Sequence, residues 1–282
     1  RMNFRKFYLI RGESGAQRPL NGENAVWLTD PAGLGTAAEP VIANLGGGFH
    51  CITDDRKKPQ QQFTFTLNFT GADPYGDYKA LIDWIAATSV LQLGYKPADK
   101  LYTRRIVIKA ITKTELTKTR WLVCTVSAVA LEPWTRFTSL SFANSSSGTN
   151  FSWSAPITPA GQLPMHYELT FKAAAARKIN GVYLSGMVDG ESKIYGAVYF
   201  STPVQLAARQ SLVVSTIPTN FRVDGVTAIG TIVSQLSEVD IIYDPTEGLP
   251  VTVTSAKLNV SVDAYTSADT VTGKVYEYYE GV

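Results

Sequence analysis

The run Phe63-Thr64-Phe65-Thr66-Leu67-Asn68-Phe69-Thr70 alternates apolar and polar residues without a break. Side chains of an extended strand point to opposite faces with a period of two, so Phe63, Phe65, Leu67 and Phe69 share one face. A face of three phenylalanines and a leucine must be covered by other elements, which places this strand in a packed sheet. The bias extends to the whole chain, which holds 29 Thr and 24 Val among 282 residues. Branching at Cβ favours strands over helices. Charged residues make up 18%, below the ~25% common in soluble domains, and the length suffices for one large core or two ordinary ones. A folded, mainly β protein is predicted.

One helix interrupts this pattern. Asp73-Pro74 supplies an N-cap and a first-turn proline, and Tyr78, Leu81, Ile82, Ile85 and Ala86 recur at helical spacing, which predicts a helix over about 74–89. Leu91 to Tyr95 reads as a short strand, and Tyr102 to Glu115 and Arg120 to Leu131 as the arms of a hairpin. Even spacing of Arg105, Lys109 and Lys113 puts the three on one face of the first arm. Cys124 lies in the apolar pattern Trp121 to Val126 and is expected to be a buried small hydrophobe.

From Leu140 to Pro164 the chain is rich in Ser, Gly and Pro, the composition of a linker, although Phe151 and Trp153 are too apolar to hang free. Domains are therefore expected at 1–138 and 165–282, joined by a linker at 139–164. Residues 1–138 hold 18 Lys+Arg and 12 Asp+Glu, net +6, against 8 and 12, net −4, beyond. The second half is strand after short strand: Tyr167 to Lys172, Gly181 to Leu184, Ile194 to Phe200, Ser211 to Thr216, Val239 to Tyr243, Ala256 to Tyr265 and Lys274 to Tyr279. Gly and Pro punctuate them as in a β-sandwich or jelly roll.

Histidine chemistry has few routes with only His50 and His166, and nucleotide, hydrolase and metalloprotease motifs are absent. His50-Cys51 supplies two ligands where zinc wants three or four, so no metal and no cofactor are expected. Asp54-Asp55 and Glu238, Asp240 and Asp244 are the paired acids a glycosidase would need, and they read as solvated turn or strand-edge residues. A non-enzyme is expected. No apolar run reaches the ~18 residues of a membrane helix, and Arg1 to Lys6 lacks the apolar stretch of a secretion signal. Either the chain is made inside the cell and soluble, or a signal is missing from it. Nucleic-acid binding would want more basic charge with interleaved aromatics than the hairpin carries.

Phe4-Arg5-Lys6-Phe7-Tyr8-Leu9-Ile10, with Trp27-Leu28-Thr29-Asp30-Pro31-Ala32-Gly33-Leu34-Gly35 after it, resembles the distal tail protein family of long-tailed phages of Gram-positive hosts. The later segments come in a similar order too: a polar stretch at Leu45 to Gln62, the Phe-rich strand, the helix, the strand at Leu91, the basic hairpin and Glu132-Pro133-Trp134. The resemblance covers nearly all of 4–136 and continues more weakly through Tyr167 to Phe171 and Ile179 to Leu184. It implies an N-terminal β-sandwich or split barrel and a C-terminal galectin-like β-sandwich. It further implies a virion protein at the tail tip, made in the bacterial host's cytoplasm. Six copies would form a ring through residues 1–138, joining the tail tube protein to a tail-associated lysin or spike and to receptor-binding proteins. The stretch at about 45–62, with Gly46, Gly47, Gly48, Gln60, Gln61 and Gln62, would be an arm embracing the adjacent subunit. Asp30, Pro31, Gly33, Leu34 and Gly35 form the family-like turn. The competing reading is a carbohydrate-binding module stacking sugars on Trp153, Tyr183, Tyr195 and Tyr199.

Overall fold

The computed structural model describes residues 5–12, 14–34, 42–44, 49–51, 61–117, 120–147, 150–217, 222–225, 248–264 and 268–280. Two compact units divide the chain, residues 1–135 with 279–282 and residues 136–278. Antiparallel strands dominate both.

Unit 1 contains β1 (Lys6–Arg11), β2 (Gln17–Pro19), β3 (Val26–Ala32), β4 (Ile42–Asn44), β5 (Phe49–Cys51), β6 (Gln62–Phe69), α1 (Pro74–Ala86), β7 (Leu91–Lys96), β8 (Tyr102–Lys113), β9 (Leu122–Ala130) and the start of β10 (Trp134–Leu140). The order β2-β1-β7-β8 makes one ladder and β3-β6-β9-β8 another, so β8 serves both. Its first residues, Tyr102 to Ile106, pair with β7, and Ile106 to Lys113 pair with β9. Strands β4 and β5 form a separate two-stranded sheet, Ile42 opposite Cys51.

The alternation in β6 packs as its sequence dictates. Phe63, Phe65, Leu67 and Phe69 are buried, together with Leu9, Val26, Leu81, Leu93, Leu122, Cys124 and Trp134. Phe7 stacks on its cross-strand partner Tyr95 with centroids 4.8 Å apart. Burial also raises the pKa of the Cys124 thiol. Helix α1 opens on Asp73, whose Oδ1 accepts from the Gly76 amide at 3.0 Å, and its Tyr78 meets the edge of Phe69. It stops at Ala86, three residues before the expected end, because Thr88 donates its hydroxyl to the Val90 carbonyl and turns the chain toward β7. The freed Trp84 carbonyl accepts from Arg11 Nε and Nη2 at 3.1 and 2.7 Å, a cation at the negative end of the helix dipole.

The three basic residues of the hairpin do not share a face. A bulge falls between Ile108 and Ala110, and beyond it Ile111 lies opposite Val126 and Lys113 opposite Cys124. The extra residue, Lys109, moves everything after it to the other side of the sheet. Lys113 consequently lies on the side of buried Cys124, with its ammonium 4.8 Å from the Tyr75 ring.

Unit 2 is a two-sheet sandwich. It adds β11 (Ala143–Ser147), β12 (Asn150–Ile157), β13 (Leu163–Lys172), β14 (Arg177–Val188), β15 (Glu191–Leu206), β16 (Ser211–Ser215), β17 (Arg222–Gly225), β18 (Ser255–Val262) and β19 (Thr270–Tyr279). One sheet runs β17-β16-β13-β19 and the other β11-β12-β18-β14-β15. Tyr167, Leu169, Phe171, Leu212 and Val214 from the first join Ile179, Val182, Leu184, Val198, Leu258 and Val260 from the second in one core. Val239 to Tyr243 lies outside the described residues.

The stretch 139–164 is not a linker. Strand β12 pairs with β18 along its length, and Trp153, Ala155 and Ile157 are buried. Pro156 is tolerated because β11 pairs β12 only as far as Ser154, so the proline's missing N–H breaks no rung on that edge.

Candidate functional site

Strand β3 keeps register with β6 through Thr29, then bulges before Ala32 pairs with Thr64. Asp30 takes up the bulge at φ 50°, and Gly33 follows at φ 84°. A Cβ on Gly33 would stand 2.4 Å from the Gln62 carbonyl oxygen, so the family-like turn needs glycine there on two counts. Asp30 and Pro31 thus belong to the bulged end of β3, and Gly33 and Leu34 follow it. Gly35, Gly46, Gly47, Gly48 and Gln60 lie outside the described residues. Gln61 and Gln62 do not act alike. Gln62 begins β6, exposed and opposite Val129, whereas Gln61 reaches back to the turn, its Nε2 donating to the Gly33 carbonyl at 2.7 Å.

Behind Gln61 stands Arg104, buried on the inner side of β8. Its Nη1 donates to Gln61 Oε1, its Nε to the Glu132 carbonyl at 2.6 Å, and its guanidinium carbon lies 5.6 Å from the centre of the Trp134 ring. Trp134 Nε1 in turn donates to the Leu34 carbonyl at 3.3 Å. Burial lowers the Arg104 pKa to about 10, with the Glu132 charge opposing, which leaves the guanidinium charged at neutral pH. The Glu132 carboxyl is raised by burial, against the Arg105 amide that donates to it and the charges of Arg105 and Arg104. Sequence reasoning passed over Arg104. Its signal is the run Tyr102, Arg104, Ile106, Ile108, in which a lone charge falls on the apolar phase of the strand.

A second feature lies on the outer side of β3, β6 and β9. Cross-strand partners align Thr29, Thr66, Thr125 and Thr112 in one row. A neighbouring row holds Ala32, Thr64, Ser127 and Ala110, and a third holds Trp27, Asn68 and Val123. No charge occurs in these rows, although Trp27 is 49% exposed and Thr64, Thr112 and Thr125 face solvent. Asn68 Nδ2 donates to Thr29 Oγ1 at 3.0 Å, a lateral bond on that surface. Charge is depleted at the core of protein interfaces, and these rows share that depletion.

The other candidates do not converge. Asp54, Asp55, Glu238, Asp240 and Asp244 lie outside the described residues, as do the side chains of His50 and Cys51. His166 is buried beside Tyr278, at 5.7 Å between ring centres. Among the described residues no three of His, Cys, Asp and Glu are grouped to hold a metal, and no helix is long and apolar enough to cross a membrane. Of the four aromatics offered for sugar stacking, Trp153 and Tyr195 are packed in the unit 2 core, and Tyr183 and Tyr199 stack on each other at 5.6 Å. A polar cleft of about 720 Å³ between Arg18, Glu23 and the Asp73–Asp77 turn of α1 is wide open.

Residues 6–130 match the family described as distal tail protein, N-terminal domain. No curated protein sequence matches the chain. Among solved structures, a chain of the phage P2 baseplate in its activated conformation with calcium is similar at 15% identity over 99% of this chain and 100% of its own, with TM-score 0.66. The Dit protein of phage SPP1, described as a paradigm of hub adsorption apparatus in phages infecting Gram-positive bacteria, is similar at 10% identity over 96% and 98%, with TM-score 0.52. Identities this low make the structural likeness one of fold.

Proposed function

We propose, for a chain whose residues 6–130 match the distal tail protein N-terminal domain, that its role is structural: a hub of the phage tail and baseplate, located in the virion. The observation that carries this reading is the coincidence of the matched residues with compact unit 1. Six copies would close a ring through unit 1, with the stretch at about 45–62 as an arm reaching a neighbouring copy. The ring would join the tail tube protein to a tail-associated lysin or spike and to receptor-binding proteins, with unit 2, a galectin-like sandwich in this reading, directed to those partners. Support for unit 1 as the assembling part comes from its uncharged Thr/Ser face and from β4 and β5, since an isolated two-stranded hairpin is marginal in water without a partner. Against the carbohydrate-binding reading stands the burial of Trp153 and Tyr195.

Electron microscopy and native mass spectrometry of the full chain, alone and mixed with its cognate tail tube protein, test the proposal. Six-membered rings are expected in at least one of the two samples. Monomer at every concentration in both would overturn it.

A further inference from the structure

The five-stranded sheet of unit 2 turns an uncommon set of side chains outward. Cross-strand partners place Ser152, Ser261, Gly181 and Tyr199 in one row. The next row holds Ser154, Asn259 and Tyr183, and the one after it contains Lys257 and Ser185. Their neighbours of opposite phase, among them Val182, Leu184, Leu258 and Val260, fill the core, so these rows point away from it. Lys257 is the one charge in the three rows.

Two rings lie low on this face. A Cβ on Gly181 would stand 2.6 Å from Tyr199 Cδ1, so glycine lets that ring rest on the backbone of β14. Tyr183 stacks on Tyr199 with centroids 5.6 Å apart, and both are partly exposed. Beside them Asn259 is 9% exposed and pinned: its Nδ2 donates to Ser185 Oγ at 2.9 Å and to the Lys257 carbonyl at 3.2 Å. Those bonds use the donor end of the amide, and no described residue donates to its Oδ1.

Aromatic rings next to a fixed amide oxygen and short hydroxyls suit a sugar, whose C–H face stacks on a ring while its hydroxyls bond at the edges. A protein partner fits less well, because Ser is depleted in protein interfaces, and a polyanion would need more cations than Lys257 alone. We propose that the outer face of β14 and β18 binds a neutral oligosaccharide, stacked on Tyr183 and Tyr199 and hydrogen-bonded to Asn259 Oδ1. Trp153 and Tyr195, packed in the core, take no part. The proposal concerns unit 2 alone and stands or falls separately from ring formation through unit 1.

An array of neutral oligosaccharides of glucose, galactose, mannose, rhamnose and N-acetylhexosamines, set beside uronic-acid and phosphorylated counterparts, tests this on the full chain. Binding to at least one neutral series is expected, and titration calorimetry with the tightest array ligand then compares variants shown by circular dichroism to be folded. Tyr183→Ala is expected to weaken binding about fivefold and Tyr183→Phe to leave it within about twofold, because the ring and not the hydroxyl stacks. Asn259→Leu removes the acceptor and is expected to cost about fivefold. Ser154→Arg lays a long side chain over the row beside Asn259 and is expected to abolish binding. Phe137→Ala, at a 54% exposed ring on β10 and outside this sheet, is expected to leave affinity unchanged. No binding to any neutral saccharide overturns the proposal and leaves the face to a protein partner. Binding that survives Ser154→Arg unchanged, or that is confined to the anionic saccharides, overturns it as well.

Discussion

At the residue scale, Asp269 in unit 2 and Arg104 in unit 1 are buried polar groups held by several bonds at once. Asp269 is 3% exposed, accepts from the Ala174 amide at 2.8 Å and from Arg177 Nε at 2.9 Å, and so ties the Ala-rich turn after β13 to the start of β19. Asp269→Ala would leave the Arg177 charge buried without its carboxylate. A loss of about 3–5 kcal/mol is expected, read as a lower denaturant midpoint in unfolding followed by fluorescence. Tyr167 is completely buried, and its hydroxyl donates to the Gly196 carbonyl at 2.9 Å. The same economy of contacts governs Arg104 in unit 1. None of these partners is near the others in sequence: Asp269 and Arg177 are 92 residues apart, and Trp134 and Leu34 are 100 apart.

At the scale of elements, side-chain phase decides which face a residue serves. In β6 the period of two is unbroken and the buried face follows it residue by residue. In β8 one extra residue reverses the phase, so Arg105 and Lys113 lie on opposite sides despite their even spacing. The cross-strand rows on the outer face of β3, β6 and β9 carry no charge, and Thr125 stands in the middle of its threonine row. Thr125→Glu places a carboxylate there at a solvent-exposed position. Stability of the isolated chain is expected to change by less than about 1 kcal/mol. If this face is a contact surface, the substitution abolishes ring formation in native mass spectrometry while the thermal midpoint of the monomer holds. Rings that persist would show that assembly uses another surface.

At the scale of the whole molecule, pH acts through the few groups that burial has displaced. His166 has its pKa lowered by burial, with a hydrogen bond to the Thr216 backbone partly opposing. A histidine depressed in the fold takes up its proton more readily when the chain is unfolded. Below about 6.5, the unfolded value, the unfolded state therefore binds more protons and stability falls as pH decreases. Unfolding midpoints measured from pH 7 down to pH 5 are expected to decline, and His166→Gln is expected to flatten that slope. Because the raised Glu132 carboxyl acts on the slope with the opposite sign, a His166→Gln slope equal to that of the wild type would contradict the burial-driven shift.

The sequence by itself determined elements such as β6 and α1, because period-two alternation and an Asp-Pro cap are local properties. It also carried the resemblance at 4–136, since the family's order of motifs is linear in the chain. The predicted linker at 139–164 shows the limit of local reading. Ser-rich composition spoke for a linker, while Phe151, Trp153, Ala155 and Ile157 already stood at strand spacing; β12 instead pairs with β18, from Phe151 opposite Val262 to Ile157 opposite Ala256. Only the tertiary structure decided the bulge at Lys109, the inward Arg104 and the bonds from Gln61 and Trp134 to the Gly33 and Leu34 carbonyls. Each depends on a partner brought close by folding, and the free energy of a contact between distant residues leaves no periodic trace along the chain.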